Sequence, residues 1–599
     1  MPLPHLPPQP QRIDASSAAG VVAARARPLA AAWIALALVV LLAWFGSLEL
    51  RGLFVPDEAR YAEIPREMTA SGDWITPRLN DLKYFEKPPL QYWMTAVSYR
   101  LFGEDEWTAR LPSAMLGFFA LLMLGFTGYR LRDVRTGLVA ATLLGSSWAY
   151  FLAGQYLTLD MTLTACLTFA LCAFLLAQSA ADVRRRNAWM SAAWAAAALA
   201  VLAKGLVGVV LPAGALLAYL ALRREQVGLL RRLSLLPGVA IFVAIAAPWF
   251  LVVQHRNPEF FHFFFVYEHL ERFTRTDHHR VGAWWYYVPV LLAGMMPWTP
   301  ALAREGWQWL RRASCRAPRQ AAAGFSPRLF CVAWIAVIVV FFSVSRSKLP
   351  AYVLPAFPAI ALLLAMRPRE RDAAALSWSA WGTCAAGIVL LAAAHGLPRT
   401  QKFVALGEHA VAQLPWLYAA AAALLAGGAV AVARVRAGRL ASAAFMLVIA
   451  TLGFWHLVFG FLHQTDADFS SERLIEEFTD DRKPYRPEVP FYSVAQFDPS
   501  VPFYLGRTTT LVATRGELGP GIDAEPGKAV ATLEDFERLW RAQPGQAYAV
   551  LRPGTFADLR SRGLPMIEAA TDGRLVIAAR HAQEPEPEKR TTGGWRRWR

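Results

Sequence analysis

The chain has 599 residues, of which 55% are hydrophobic, and a formal net charge of +16 at pH 7. Its apolar runs approach the roughly 20 residues that cross a bilayer, which argues against a soluble protein. The positive charge does not indicate a nucleic-acid partner, because most Arg and Lys residues lie in short loops between apolar runs, where they set membrane topology. The composition therefore predicts a polytopic α-helical membrane protein.

The N-terminal 28 residues are rich in Pro, Ala and Arg, and we expect a disordered cytoplasmic segment there. The first apolar run is too long for a signal peptide and precedes no small-residue cleavage site, so it predicts an uncleaved anchor. The cysteines lie in or beside apolar segments without metal-ligand spacing, which argues against a disulfide framework or a structural zinc site. They are Cys166, Cys172, Cys315, Cys331 and Cys384.

Window hydropathy predicts about thirteen membrane helices within residues 29–463. Every second loop is basic, which places the N-terminus in the cytoplasm and, since the number of spans is odd, the C-terminus on the outer side. The predicted spans are residues 29–48, 111–130, 137–156, 161–181, 188–203, 206–222, 233–253, 285–303, 329–345, 350–366, 375–395, 415–433 and 440–462.

Several segments on the predicted outer side carry cations, although outer loops should be poor in them. Besides the long first loop, residues 49–110, they include the turn with Lys204, the loop with Arg272, and the turn with Arg346 and Lys348. One explanation is that they bind an anion such as a lipid phosphate. The other is that these side chains reach toward lipid head groups.

The first loop contains two predicted helices. Pro56 suits the start of a helix with Asp57 in its first turn, running to about residue 70 along the membrane surface. Asp57 and Arg60 are three residues apart, so they share a face of this helix. The alternative is that Asp57 is only a helix-start charge paired with Arg60.

A second amphipathic helix is predicted to begin at Pro88 and Pro89 and to run through residues 90–102. The free amide groups at its start and the Lys87 ammonium could together bind a phosphate group. Glu86 could orient Lys87 or ligate a metal ion. The alternative is a surface ion pair between the two side chains, which would contribute little.

Asp160 lies at the outer end of the third predicted span. A carboxylate between two apolar helices is energetically costly, so it is a candidate functional group. The alternative is that Asp160 caps the start of the fourth span.

The apolar runs stop near residue 464. Short strand patterns follow at residues 489–495, 509–513, 547–551 and 575–578, with helical patterns near 471–478 and 532–542. They predict a small α/β periplasmic domain over residues 464–582. The charged tail, residues 583–599, is predicted to be disordered.

The motifs in these segments resemble the GT-C glycosyltransferases of the protein mannosyltransferase/ArnT group. They are D-E-A-R-Y from Asp57, F-E-K-P-P-L from Phe85, L-D-M-T from Leu159, E-H at Glu268 with R-F at Arg272, and S-K-L-P-A-Y-V-L-P from Ser347. Within that group, they look most like the bacterial transferases that attach 4-amino-4-deoxy-L-arabinose to lipid A. The resemblance covers nearly the whole chain, and F-D-P-S-V-P-F-Y-L from Phe497 looks like the start of that family's C-terminal domain.

This resemblance implies an enzyme of the bacterial inner membrane with a lipid-linked donor. A sugar would leave undecaprenyl phosphate on the periplasmic side and pass to lipid A or another membrane glycan. The catalytic candidates are Asp57, Asp160 and Glu86. Cations and an aromatic group would hold the donor phosphate: Lys87, Arg60, Arg272, Arg346, Lys348, Tyr352 and Lys204.

The resemblance implies no required cofactor, and no general acid is strictly needed, because the leaving group is already a phosphate. A divalent metal ion held by Glu86 and His269 stays an open alternative, although the sequence shows no conventional ligand spacing. Three other functions also stay open: a hexose transferase acting on protein or another glycan, a transporter for a lipid-linked sugar, and a non-catalytic receptor or scaffold. A transporter predicts matched internal repeats with interrupted spans, and the sequence shows none.

Overall fold

The structure is a computed structural model, and it describes residues 38, 40–271, 282–314, 324–400, 411–465, 469–480 and 488–580. The predicted cytoplasmic segment 1–28 and the charged tail 583–599 lie outside these residues. Arg272 and Cys315 also lie outside them.

Seven helices in the described part of the chain are long and apolar enough to span a membrane. This confirms the polytopic helical fold, while the count of thirteen spans stays a prediction. Each of the seven helices matches a predicted span to within a few residues at most ends. They are Glu106–Leu131, Leu159–Ser179, Leu235–Arg256, Pro327–Val344, Asp372–Gly396, Leu414–Arg436 and Leu440–Gln464.

Three predicted spans are interrupted. Residues 137–156 form two helices, Val134–Gly145 and Trp148–Gly154, bent by 69° at the break between them. Residues 285–303 are divided between Tyr287–Gly294 and Thr299–Ser314, and residues 350–366 begin as the 3-10 helix Pro350–Ala356 before the α-helix Phe357–Ala365. In the last two cases a proline lies at the irregular stretch, where its missing N–H removes a helical hydrogen bond. Further membrane-domain helices are Val183–Lys204, Val207–Leu222, the 3-10 helices Arg224–Arg232, Arg369–Arg371 and Leu397–Arg399, and the π-helix His262–Glu271.

The first loop folds into the helix Asp57–Ser71, a hairpin of β1 (Arg78–Leu79) and β2 (Leu82–Lys83), and the helix Leu90–Phe102. Both helices begin within about one residue of the predicted positions. Gly72 ends the first helix in the left-handed conformation, at φ 74°, which a glycine adopts without steric cost.

The first of these helices is enclosed by the protein, because every residue from 58 to 68 is buried. Its position along the membrane surface stays a prediction. The charges of this helix are neutralised inside the protein: Arg66 donates to Glu63 at 2.6 and 2.7 Å. Glu67 in turn accepts the Asp81 amide at 2.8 Å. Such pairing makes the burial of charged groups tolerable.

The C-terminal domain is built on a six-stranded sheet. Its strands are β3 (Phe491–Val494), β4 (Thr510–Val512), β5 (Ala529–Val530), β6 (Tyr548–Leu551), β7 (Ile567–Thr571) and β8 (Val576–Ala579). They lie in the order β5-β4-β3-β6-β8-β7, in which β5, β4, β3 and β6 are parallel and β8 and β7 complete the sheet antiparallel to their neighbours. The helices are Glu472–Thr479, Ser500–Leu505, Gly519–Ala524, Leu533–Ala542 and Pro553–Ser561, with the 3-10 turns Gly516–Leu518 and Pro526–Lys528.

The four predicted strands and both predicted helices of this domain are confirmed. The sequence did not predict β5 and β7. The first has only two residues, and the second reads I-E-A-A-T, which lacks the run of β-branched and aromatic residues typical of strands.

The C-terminal domain docks on the first loop through buried polar contacts. Asn80, at the hairpin turn, donates from Nδ2 to the Thr509 carbonyl at 2.7 Å and accepts the Thr509 amide at 2.8 Å. Arg66 donates to the Gly506 carbonyl at 2.9 Å. Ion pairs surround these bonds, and one joins Arg78 to Glu525 at 3.0 Å. The C-terminal domain is therefore held in a fixed position against the first loop.

Replacing Asn80 by alanine should loosen this docking. The buried Thr509 backbone groups would lose their partners, at a cost of about 1–3 kcal/mol. Hydrogen exchange should accelerate in β4 and in the β1–β2 hairpin together. Asn187→Ala, at an exposed asparagine on the Val183–Lys204 helix, is the matched control and should change neither segment. Unchanged exchange in Asn80→Ala would contradict this account of the docking.

Candidate active site

A buried ion cluster fixes the start of the first-loop helix. Glu58 shares its carboxylate between Arg51 and Arg110, and the Arg110 Nε donates at 2.9 Å. The same carboxylate accepts the amide of Leu157 at 2.9 Å. Burial alone would raise the pKa of Glu58, but Arg110 and Arg51 together lower it to about 2. Since Leu157 lies three residues before Asp160, this cluster sets the position of Asp57 relative to Asp160.

The sequence reasoning missed this cluster. One feature of the sequence does point to it. Arg51 and Arg110 flank the first loop at the ends of two apolar runs, on the side of the membrane where cations should be rare. Neither arginine belongs to a motif, and their common partner Glu58 lies in the first turn of the Asp57–Ser71 helix, where an acidic residue needs no distant partner.

Asp57 and Arg60 form the ion pair that their spacing predicts, with Arg60 Nη2 2.5 Å from Asp57 Oδ1. Arg60 is buried and also donates to the Tyr84 hydroxyl at 2.7 Å and to Glu517. Asp57 keeps 52% of its side chain exposed. The arginine therefore holds the carboxylate in place while leaving it open to a ligand.

Glu517 belongs to the C-terminal domain, so this domain contributes a side chain to the Asp57 cluster. Burial raises the pKa of Glu517, and the neighbouring Arg60 opposes that shift. Burial likewise raises the pKa of Tyr84 well above its ordinary value. No local pattern in the sequence links Glu517 to the first loop, so its place in the cluster was not predicted.

Glu86 and Lys87 lie immediately before the Leu90–Phe102 helix. The Lys87 ammonium is 3.9 Å from the Glu86 carboxylate and donates to the Glu86 carbonyl at 2.9 Å. Each side chain is only 16% exposed. The pair is thus mostly buried, and it differs from the surface ion pair that was the alternative.

Asp160, Lys204 and Tyr352 meet although they come from three separate segments. Lys204 forms an ion pair with Asp160, and its ammonium lies 4.9 Å from the centroid of the Tyr352 ring. Asp160 is the second residue of the Leu159–Ser179 helix, whose N-cap is Thr158. The alternative that Asp160 is itself the cap is therefore wrong.

The two groups of candidate residues border each other. Thr162, two residues after Asp160, donates to the Gln91 side chain, four residues after Lys87. Phe85 packs in one apolar cluster with Leu202, two residues before Lys204. The segments carrying Glu86 and Lys87 are therefore held against the segments carrying Asp160 and Lys204.

The turn at residues 345–348 carries one buried cation, Lys348, and one exposed cation, Arg346. Lys348 is buried and donates to the carbonyls of Ser343 and Ser345 at 2.8 and 2.6 Å, which occupies two of its three N–H donors. Arg346 is exposed, and the described residues give it no ion pair. Tyr352, just beyond the turn, packs its ring against Phe342 with centroids 5.1 Å apart.

Two predicted site residues lie outside what the structure describes: Arg272, and the side chain of His269. Within the described ranges, no group of three or more His, Cys, Asp or Glu side chains is arranged to hold a metal ion. The metal site at Glu86 and His269 therefore stays a prediction, as do the individual roles of all the site residues.

Two family models match the chain. The dolichyl-phosphate-mannose-protein mannosyltransferase model matches residues 30–264, and the aminoarabinose transferase C-terminal domain model matches residues 480–580. The crystal structure of ArnT from Cupriavidus metallidurans bound to undecaprenyl phosphate superposes with a TM-score of 0.81 at 35% identity, over 93% of this chain and 99% of that one. The chain belongs to the ArnT family of GT-C glycosyltransferases.

Curated relatives agree with this assignment to the ArnT family. The undecaprenyl phosphate-alpha-4-amino-4-deoxy-L-arabinose arabinosyl transferase of Aeromonas salmonicida is 33% identical over 62% of this chain and 67% of its own. The enzyme with the same name from Erwinia tasmaniensis is 34% identical over 53% of this chain, and the chain spans only 56% of its length. The ArnT crystal structure from Cupriavidus metallidurans in the apo state gives a TM-score of 0.80.

Proposed function

We propose that this protein transfers 4-amino-4-deoxy-L-arabinose from undecaprenyl phosphate to lipid A. The observation that carries the proposal is the convergence of two acid–cation pairs, Asp57 with Arg60 and Asp160 with Lys204, on the segment from Tyr84 to Gln91 that carries Glu86 and Lys87. The likeness to a structure bound to undecaprenyl phosphate, over nearly its full length, supports the lipid-linked donor.

The donor phosphate would lie against the cations. Lys87, Lys204, Arg346 and the remaining donor of Lys348 would stabilise the charge that develops as the phosphate leaves, so no general acid is needed. Tyr352 would hold the Lys204 ammonium through its ring.

In the transfer step, an oxygen of the acceptor attacks the anomeric carbon of the sugar. The bond from that carbon to the undecaprenyl phosphate oxygen breaks, and its electron pair stays on the departing phosphate. A phosphate acceptor is already anionic, so Asp57 would orient the sugar, including its amine, and stabilise positive charge on the ring. If the acceptor were a hydroxyl group, Asp57 would take its proton as a general base.

We infer that the reaction takes place on the periplasmic side of the bacterial inner membrane, with the C-terminal domain on the same side and the N-terminus in the cytoplasm. The basic residues in alternate loops support this orientation. The docking of the C-terminal domain against the first loop supports a location of both on one side of the spans.

Hexose transfer to protein or another glycan is the second candidate, because the mannosyltransferase model matches residues 30–264. Purified full-length protein in vesicles, supplied with lipid A and either undecaprenyl-phosphate aminoarabinose or undecaprenyl-phosphate hexose, separates the two functions. Mass spectrometry of the acceptor should show the pentosamine adduct only. A hexose adduct in its place would refute aminoarabinose as the transferred sugar, and no adduct with either donor would refute lipid A as the acceptor and favour the second candidate.

Replacing Lys204 by methionine should raise the KM for the donor roughly tenfold or more, because a charged hydrogen bond to phosphate is worth about 1.5–3 kcal/mol. Lys204→Arg should retain part of the affinity. The single variant Lys204→Met leaves the Asp160 carboxylate without its ion-pair partner. The double variant Asp160→Asn/Lys204→Met removes that carboxylate, so it should recover stability without recovering donor affinity. Recovery of both in the double variant would show that Lys204 serves only to neutralise Asp160.

A further inference from the structure

A polar cavity lies at the edge of the C-terminal sheet. Its volume is about 530 Å³, within the roughly 300–1,000 Å³ typical of small-molecule sites. Gln496, Thr514 and Arg552 line it, and each follows the end of a parallel strand by one or two residues. Val55 and Pro56 line it from the first loop, immediately before Asp57. We call this cavity the switch-point cleft.

The topology of the sheet explains why a crevice opens here. The chain passes from β3 to β4 and β5 on one side and then returns to place β6 on the other side of β3. Connections therefore leave the carboxyl ends of β3 and β6 in opposite directions, and ligands of open α/β sheets bind at such points. Ala495 and Ala513 turn out of β3 and β4 in the left-handed conformation, at φ 56° and 49°.

The wall of the cleft is cationic. Its one carboxylate, Asp498, is neutralised, since it accepts from the Ser500 hydroxyl at 2.6 Å and pairs with Arg574. The buried Nε of Arg574 has no hydrogen-bond partner among the described residues. Arg552 is exposed on the wall, and the described part of the chain offers it no ion pair. An anion is thus the complementary ligand.

We propose that the switch-point cleft binds the phosphorylated sugar head group of the acceptor. Arg552 would hold a phosphate through its paired N–H donors, and Gln496 and Thr514 would bind sugar hydroxyls. The inference rests on the proposed function, in which the donor phosphate occupies the Lys87 and Lys204 side of the site. The cleft would be a separate anion-binding site on the C-terminal domain, bordering Asp57, and we therefore assign it to the acceptor.

Calorimetric titration of the full-length protein in detergent tests the cleft directly. The probes are a water-soluble bisphosphorylated glucosamine disaccharide, the same disaccharide without phosphate, and inorganic phosphate. Arg552→Gln should weaken binding of the bisphosphorylated probe roughly tenfold or more, and Arg552→Lys should weaken it less. Arg560→Gln is the matched control, because Arg560 is exposed on the adjoining helix but does not line the cleft.

Equal affinity of the wild-type protein and Arg552→Gln for the bisphosphorylated probe would overturn the proposal. So would equal affinity of the wild type for the phosphorylated and unphosphorylated disaccharides, or inorganic phosphate binding as tightly as the bisphosphorylated probe. A sugar-transfer assay separates this inference from the proposed function. Transfer without Arg552-dependent binding overturns the cleft alone, whereas such binding without any transfer overturns the proposed function and leaves the cleft as an anion site.

Discussion

Replacing Glu58 by alanine is expected to destabilise the protein by about 3–5 kcal/mol, because it leaves two buried arginines without their shared carboxylate. Arg51 and Arg110 are both buried, and Arg110 Nε lies 2.9 Å from Glu58. The measurement is the free energy of unfolding of the purified protein in detergent. Glu49→Ala, an exposed glutamate nearby, should change it by less than about 0.5 kcal/mol. An equally small change in Glu58→Ala would contradict the structure of the ion cluster.

The Glu58 carboxylate should also make the stability of the protein depend on pH. The pKa of Glu58 is lowered from 4.5 to about 2 in the folded protein, so its contribution is fully present above pH 4.5 and is lost as the pH falls through about 2. One pKa unit corresponds to about 1.4 kcal/mol, so this contribution amounts to about 3 kcal/mol. Glu58→Gln should therefore show a shallower loss of stability than the wild type between those pH values. Parallel curves would refute this assignment.

Replacing Asp57 by asparagine is expected to lower kcat for sugar transfer about 100-fold or more while leaving the fold intact. The charge faces the reacting sugar in our account, and preorganised charges of this kind contribute factors of about that size. Asp57 is half-exposed, so the loss of its pair with Arg60 should cost less than about 1 kcal/mol of stability. The measurement is the initial rate of transfer at saturating donor, with the melting temperature measured on the same preparation.

Two further variants give the Asp57 experiment its controls. Asp57→Glu keeps the charge one methylene further from the backbone and should retain more activity than Asp57→Asn. Glu49→Gln removes an exposed carboxylate that contributes nothing to the site and should transfer sugar at the wild-type rate. A wild-type rate in Asp57→Asn would exclude a catalytic role for this residue.

The parts of the fold that the sequence predicted best have strong local signals. Prolines placed the starts of both first-loop helices within about one residue, and apolar runs located the seven long spans. Asp57 and Arg60 pair because they share one face of a helix, which their spacing of three residues already determines.

The features that the sequence did not predict depend on contacts between segments that are far apart in the chain. The charges of the Asp57–Ser71 helix find partners inside the protein, which its amphipathic sequence does not reveal. Glu58 is 52 residues from Arg110, and Arg60 is 457 residues from Glu517. No periodicity or spacing encodes such pairs. The contact between Lys204 and Tyr352 likewise joins the end of one helix to a distant 3-10 helix, and the sequence predicted each residue only separately.

Asp57 and Asp160, in our proposal, serve one active site that adds aminoarabinose to lipid A. Mass spectrometry of lipid A tests this most directly, in cells that lack any transferase of this family and express either the wild-type protein, Asp57→Asn or Asp160→Asn at equal levels in the membrane. We predict a pentosamine adduct with the wild type and its loss in both variants. Lipid A without the adduct in wild-type cells, or with an equal adduct in either variant, would contradict the proposal.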